Sequence, residues 1–485
     1  MDLDKLKATN QHYKDHQAAW RFWEAAYEGG ETFINVVVTQ NPRESTSNFN
    51  ERKEEAMVFN LSESIIDLFN FYLTEKTPMR DLGPLANDSL WQMFEKDADL
   101  NGTNFDVWLN EKQKVAAIFG MVGILVDKPP GMRENKQQEI DQKIYPYCAA
   151  YTPLNILDWT TERNRDTARH ELTYLKLVDT DGKFLLWWEK NWQIWEIPFG
   201  QDGEEEDPIM IDEGENSLGE IPFFWMVNIQ SAIDSYYGVS DIKEISRIQA
   251  SITRNISCGE EVIKYAGFPQ ARRPYLSSGD EGSGSNAAGI TAILEFDPEN
   301  PEAKPDWLEA PCAEPIEAII SWIKTKVGIT YDMKHISGIH ATAQSIEARS
   351  GAALRAEFQQ LNSVLIKKNE NLTEAEIMII KLWTKWQESE DLFKNIAITR
   401  PKEFSIDDLS ISLDNTVKAM SIVVSDEFKR LSMKSAVKKT MPDMLDKDRE
   451  VVNKEIDVAD LSIVEIEEDS SKKRNTGKPD GLNDN

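Results

Sequence analysis

The chain has 485 residues, 84 of them acidic and 54 basic, for a formal charge of −30. That balance excludes a broad basic face for gripping DNA or anionic lipid, and 40% hydrophobic with 9% aromatic residues excludes a wholly disordered chain. Three widely spaced cysteines, Cys148, Cys258 and Cys312, exclude a disulfide scaffold and a Cys-rich zinc module and fit a reducing compartment.

The length suits about three domains. The first residues are charged from position 2, with no apolar core of a secretory signal. The most apolar stretches, 115–126 and 209–229, are too short or too broken by charge to span a bilayer. The expectation is a soluble chain made inside a cell.

In chain order, residues 1–30 read as a helix with Tyr13, Trp20, Trp23 and Tyr27 on a core face and Gly29-Gly30 as its stop. Residues 51–76 form a second amphipathic stretch, with Met57, Leu61, Ile65, Leu68, Phe69 and Tyr72 inward. A third helix covers 88–119, with Trp91, Phe94, Trp108, Val115 and Ile118 inward and a break at Asn101-Gly102. MVGILVD (121–127) before Pro129-Pro130-Gly131 is a strand and turn, 132–143 a loop, and 145–159 a strand and loop.

Residues 171–197 alternate, with turns at Asp181-Gly182 and Lys190-Asn191, so they predict a three-stranded antiparallel meander. Trp187, Trp188, Trp192 and Trp195 suit packing of a sheet face more than a sugar-stacking platform. The acidic, Gly-rich 200–219 lacks the EF-hand spacing and reads as a solvated hairpin tip. IPFFWMVNI (221–229) is a buried strand.

From Gly238 the character changes. Ile242, Ile245, Ile248, Ile252 and Ile256 recur at helical spacing up to the stop at Gly267-Phe268-Pro269. Residues 269–315 are rich in Pro, Gly and Ser around a short strand. Helix returns over 316–336 on Ile316, Ile319, Ile320, Ile323, Val327 and Tyr331. After the Gly-bounded 338–351, the stretch 352–388 has no internal Gly or Pro and keeps Leu354, Phe358, Leu361, Leu365, Leu372, Ile379, Leu382 and Trp386 on one stripe. It predicts a helix about 55 Å long. Short strands at 396–413, helices over 416–464 with a stop near Met441-Pro442, and a polar, disordered tail complete the chain.

Enzyme chemistry has no positive signal: there is no P-loop, no GxGxxG after a strand, and no HExxH, GxSxG or CxxC. No cofactor is expected. His12 and His16 sit four apart but lack a third ligand nearby, and His335 and His340 flank Gly338 without neighbouring carboxylates. His170 stands alone. Acidic pairs carry no information in so acidic a chain.

The order of elements after Gly238 resembles the portal proteins of tailed bacteriophages. So do FGMVGILVDKPPG (119–131), YYGVSDIKEISRIQ (236–249) and ARSGAALRAEFQQLNSVLIKKNENLTEAE (348–376), and the opening 13–30 matches the family's usual start. The resemblance covers about residues 10–465 by element order. It implies an α+β, mainly helical portal fold with a small antiparallel sheet. Residues 1–237 would be the wing, 238–268 the stem helix, 269–315 the clip, 316–337 the second stem helix, 338–351 the tunnel loop, 352–415 the rest of the wing, 416–468 the crown and 469–485 a disordered tail.

The resemblance further implies a non-enzymatic virion protein at one capsid vertex. It would be a ring, usually of about twelve subunits, with closing rotation between neighbours, each helix pair packing on its neighbour's and its other face lining the channel. Its partners would be the major capsid protein, the terminase large subunit, a head–tail adaptor and double-stranded DNA passing without sequence preference, with no membrane. A largely acidic wall would repel the duplex and keep it sliding. The residues that would touch phosphates are Lys324, Lys326, Lys334, His340 and Arg349. Arg272, Arg273, Tyr275 and Trp307 would dock the motor and the adaptor. A carbohydrate-binding or carbohydrate-active protein built on the Trp-rich sheet, or another ring-forming virion connector, are the competing expectations.

Overall fold

The computed structural model describes residues 2–42, 44–129, 136–166, 168–200, 203–233, 237–267, 270–271, 307–308, 313–336, 351–394, 396–402, 404, 426–441, 444 and 446–459. Two compact units divide the chain, Met1–Phe404 and Ser405–Asn485. Among the described residues both helix and strand are abundant, and the strand pairings are all antiparallel, in small sheets of two, three and five strands.

The first unit opens with α1 (Leu3–Lys7), α2 (Gln11–Glu28), α3 (Gly30–Val37), α4 (Thr46–Glu54) and α5 (Leu61–Thr74). The expected single helix over 1–30 is interrupted because Asn10 is extended and its side chain accepts from the Tyr13 amide, which starts α2 afresh. Gly29, at φ 66°, ends α2, yet Gly30 begins α3 rather than a loop. The stretch 51–76 is likewise two helices. Asn60 caps α5 in the same way, and Met57, expected inward, lies in the link and is 55% exposed.

Next come β1 (Met79–Asp81), α6 (Ser89–Lys96), α7 (Phe105–Phe119) and β2 (Met121–Asp127). The helix expected over 88–119 is split around Asn101-Gly102, as its sequence indicates. In the supposed loop 132–143, residues Lys136–Gln142 instead form α8. β3 (Tyr147–Tyr151) and β4 (Ile156–Arg163) follow, then β5 (His170–Val178), β6 (Phe184–Trp188), β7 (Asn191–Glu196), β8 (Ile209–Glu215) and β9 (Phe223–Val227). The expected meander is β5–β6–β7, but it is the middle of a five-stranded sheet ordered β4-β5-β6-β7-β8. Part of the supposed acidic hairpin tip, 209–215, is therefore its exposed edge strand.

After this come α9 (Ile245–Gly267), β10 (Gln270–Ala271), β11 (Trp307–Leu308), α10 (Ala313–Met333), α11 (Gly351–Trp386) and β12 (Ala397–Thr399), which pairs with β1. The second unit contributes α12 (Asp426–Thr440) and α13 (Asp446–Val458), tied by Lys434 donating to Asp457 at 2.6 Å.

β2 explains how the first unit holds its two largest cores. Its side chains alternate. Met121 and Leu125 enter a core with Trp20, Phe69, Leu175, Trp187, Ile252, Leu361 and Leu365. Val122, Ile124 and Val126 enter another with Trp91, Phe94, Trp108, Leu372, Ile379 and Trp383. A strand buried on both faces needs an unbroken apolar run, which is what MVGILVD supplies. α11, 36 residues and about 54 Å long, contributes to both cores.

The end of β2 carries a testable strain. Asp127 is half-buried beside Tyr147, and desolvation pushes its carboxyl up to about 6, against the Lys128 amide and the Tyr147 hydroxyl that favour the charged form. A raised carboxyl holds its proton longer in the folded state than in the unfolded, so stability falls as pH rises from about 4 to about 6. Asp127→Asn is therefore expected to gain up to about 3 kcal/mol at pH 7 and nothing well below pH 4, read from urea midpoints at both pH values.

Candidate functional site: the paired helices and their foot

α9 and α10 are the part of the molecule on which the sequence expectations converge. They run antiparallel: Lys326 Nζ donates to Ser251 Oγ at 2.8 Å, while a Cβ placed on Gly259 would touch Ile319 at 3.7 Å, so position rises on one helix as it falls on the other. At the far end of the pair, β10 and β11 meet through Gln270↔Leu308 and Ala271↔Trp307.

The foot of the pair is sewn to the body. α9 begins at Ile245, not at Gly238, because 238–241 is used for backbone packing. Gly120, at φ 91°, ends α7 and lies directly against Gly238. The Asp241 amide donates to the Ala117 carbonyl at 2.9 Å, and Ser240 Oγ donates to the Ile118 carbonyl at 2.6 Å. Asp241 itself turns inward and accepts from Lys368 of α11 in a fully buried ion pair. Lys368 also donates to Asn228 Oδ1, which accepts from Gln113 at 3.2 Å. The amide of Asn228 donates to the Val239 carbonyl at 2.9 Å, and that of Asn371 donates to the Asn228 carbonyl at 2.9 Å. The Lys368 ammonium lies 5.5 Å from the Phe69 ring centre. Burial lowers its pKa, while Asp241 opposes the shift.

Two further ionic clusters brace the neighbourhood. Glu376 of α11, wholly buried, accepts from both Arg80 and Arg400, and Arg80 also pairs with Asp106. Arg52 of α4 grips Glu44 through two bonds of 2.7 and 2.8 Å, donates to Ser257 Oγ of α9 at 3.0 Å and to the Thr39 carbonyl at 2.9 Å. The Arg52 hydrogen bond holds the Glu44 carboxyl down at about 2, against its partial burial. A depressed carboxyl contributes its stability above its unfolded pKa and loses it as pH falls through its folded one. The contact between α4 and α9 is thus expected to lose about 2 kcal/mol between pH 4.5 and pH 2. Comparing acid unfolding with Glu44→Gln, which should be flat in that window, checks it.

Three of the sequence-expected phosphate contacts lie among the described residues, each in a different setting. Lys324 is exposed on α10. Lys326 is 8% exposed, spends its ammonium on Ser251 and the Trp322 ring (5.2 Å), and has its pKa lowered by burial and then by Arg254. Lys334 lies in the turn beyond α10, where burial lowers its pKa, Lys368 adds to the shift, and Asp241 and Glu244 oppose it. At 100° per residue Lys324 and Lys326 point about 160° apart on α10, so these two share no face. His340, Arg349, Arg272, Arg273 and Tyr275 lie outside the described residues, and Trp307 is placed only by its backbone in β11.

Exposed cations do share a stripe along α9 and the turn before it: Lys243, in that turn, and Arg247 and Arg254 on the helix, which with Ala250 line a groove of about 1120 Å³ against Asp15, Phe22 and Trp23 of α2 and Val36 and Thr39 at the end of α3. Sequence reading missed them. Their signal is the i, i+4, i+11 spacing opposite the Ile stripe.

The four tryptophans divide between two faces of the five-stranded sheet. Trp187 pairs with Trp192 toward the main core, whereas Trp188 and Trp195 cover Phe184 and Leu186 on the other side. They form no common platform. His16 lies tilted against Tyr237 with ring centres 4.3 Å apart and stacks on Trp20 at 5.7 Å. Among the described residues, no group of three or more His, Cys, Asp or Glu is arranged to hold a metal ion, and no helix is long and apolar enough to cross a membrane.

Compared with protein-family models, the chain matches none, and no curated protein matches it.

Proposed function

We propose that this chain is a portal subunit: copies of it form a ring at one capsid vertex, and double-stranded DNA passes through the central channel during packaging and ejection. Neighbouring partners would be the major capsid protein, the terminase large subunit and a head–tail adaptor. The observation that carries the reading is the succession from residue 245 onward. An antiparallel pair, α9 and α10, brackets the segment expected to be the clip. It is followed by the long α11, which is built into both cores of the first unit. In this assignment the pair is the stem, 338–351 the tunnel loop, α11 a wing element and α12–α13 part of the crown.

Native mass measurement with negative-stain imaging of the purified chain tests it: a closed ring with a central hole is expected, and a monomer at high concentration removes the reading. Capture of the packaging motor separates a portal from another ring-forming connector. Deleting 338–350 is expected to leave the ring mass unchanged and to lower packaged DNA; loss of the ring on that deletion counts against the loop assignment.

A further inference from the structure

The five-stranded sheet ends differently on its two sides. At one edge, β4 gives its Leu157 carbonyl to the Asn10 amide at the cap of α2, at 3.1 Å. At the other, β8 pairs with β7 alone, and among the described residues no strand lies on its outer side. The Asn216 amide donates to the Lys190 carbonyl at 2.8 Å, which fixes the phase of the β7–β8 ladder. Backbone groups alternate in direction along an antiparallel edge, so those of Glu215 and Glu213 point away from the sheet. The Glu213 amide is held there by the carboxylate of its own neighbour, Asp212, at 2.9 Å.

The side chains of this edge are unlike those of a strand built to stay unpaired. Ile209, Met210 and Ile211 are 53%, 40% and 50% exposed, and adjacent apolar residues on an open edge are a template for a further strand. The bulge between Ile194↔Asp212 and Trp195↔Met210 adds twist but leaves them bare. Residues 204–215 hold seven carboxylates and no cation. Lys7 reaches Glu205 among them, while Asp212, Glu213 and Glu215 are exposed along β8 itself. That charge selects the occupant. Two such edges brought together would place like charges across one ladder, a destabilising arrangement. A strand rich in Lys and Arg has the opposite balance. Its cations fall beside Glu213 and Glu215 on one face and Asp212 on the other. Its carbonyl takes over the Glu213 amide, and the displaced Asp212 carboxylate gains a cation in exchange.

We infer that β8 is a docking edge for an extended basic segment of another protein. The segment adds antiparallel as a sixth strand, with apolar residues along Ile209, Met210 and Ile211 and cations along 212–215. The inference stands apart from the ring reading, since the edge belongs to the sheet and not to the helix pair.

The probe is the labelled peptide Lys-Thr-Lys-Lys-Val-Ile-Val, titrated with the full chain by fluorescence anisotropy. Its scrambled order, and its form with Glu for each Lys, should bind at least about tenfold more weakly. Methylating the backbone nitrogens of one alternate set of residues should abolish binding, and methylating the other set should be tolerated, because only one set faces β8. Glu213→Gln, which keeps the amide, should weaken binding about threefold. Glu213→Pro also removes an outward amide without breaking the β7 ladder, and should weaken it at least about tenfold. Circular dichroism and melting check that both variants fold; the methylated peptides need only the wild type. Equal binding of the scrambled peptide or of both methylated forms means charge attraction without strand addition and overturns the inference. So does a parent peptide that fails to bind, or a folded Glu213→Pro that binds it like the wild type. Loss of self-assembly in Glu213→Pro would make a second copy the occupant and overturn it too.

Discussion

Lys368→Met is expected to lower the unfolding free energy by about 3 kcal/mol, toward the low end of what breaking a buried ion pair costs. The side chain is nearly isosteric, so the loss is electrostatic. Asp241 keeps a charge in a fully buried site, and Asn228 Oδ1 loses its strongest donor while keeping Gln113. Lys334 stands near enough to share part of the charge on Asp241, which keeps the loss from being larger. Lys368→Met combined with Asp241→Leu is expected to recover most of the loss, because removing both charges removes the desolvation cost as well. Urea unfolding of the two single variants and the double variant gives the coupling directly. The pair joins α11 to the residues leading into α9, so Lys368→Met should also loosen the foot of the helix pair. Amide exchange at 238–245 rising more than at β2 is the local readout.

Gly238→Ala is expected to cost about 3 kcal/mol or more. A Cβ on Gly238 would lie 2.0 Å from the carbonyl oxygen of Gly120, and one on Gly120 would lie 2.4 Å from the carbonyl oxygen of Gly238. Neither obstacle is a side chain that can swing away. The two strands of backbone must separate, and with them go the Asn228 amide bond to the Gly120 carbonyl and the Asp241 amide bond to the Ala117 carbonyl. Gly120→Ala adds left-handed strain at φ 91° to the same clash, so it should be the worse of the two. Melting temperatures of both variants, with Gly182→Ala as a positive-φ control in open space, separate backbone strain from the clash: the control pays for φ alone.

These two sites show where sequence reading succeeds and where it runs out. The apolar periods of α5, α7, α9, α10 and α11 were legible within a few residues, because amphipathic spacing is local, although Ile320 of the α10 stripe is 46% exposed. Boundaries set by caps were less legible: Asn10 and Asn60 restart helices that periodicity alone runs together. Lys368 did leave a signal. It lies on the Leu361, Leu365, Leu372 stripe, where a charge can persist only with a buried partner. Its partner, Asp241, is 127 residues away, and no local pattern names it. Arg52 left none, since it sits among the charges of 51–55 like any surface residue, yet it is buried across Glu44 and Ser257. Lys326 failed in the opposite direction: a lysine on a helix expected to face solvent is turned inward by Ser251 and Trp322.

The sequence by itself determined the mixed helical and antiparallel class, the helix pair and the length of α11, because each follows from residue type and spacing along a few turns of chain. Only the tertiary structure decided that the five-stranded sheet recruits β4 and β8, that β2 feeds two cores, which cations are buried, and which edge of the sheet stays uncovered. Those depend on contacts between residues far apart in the chain. Their free energies are set by desolvation and close packing where the elements meet, not by the propensity of any one segment.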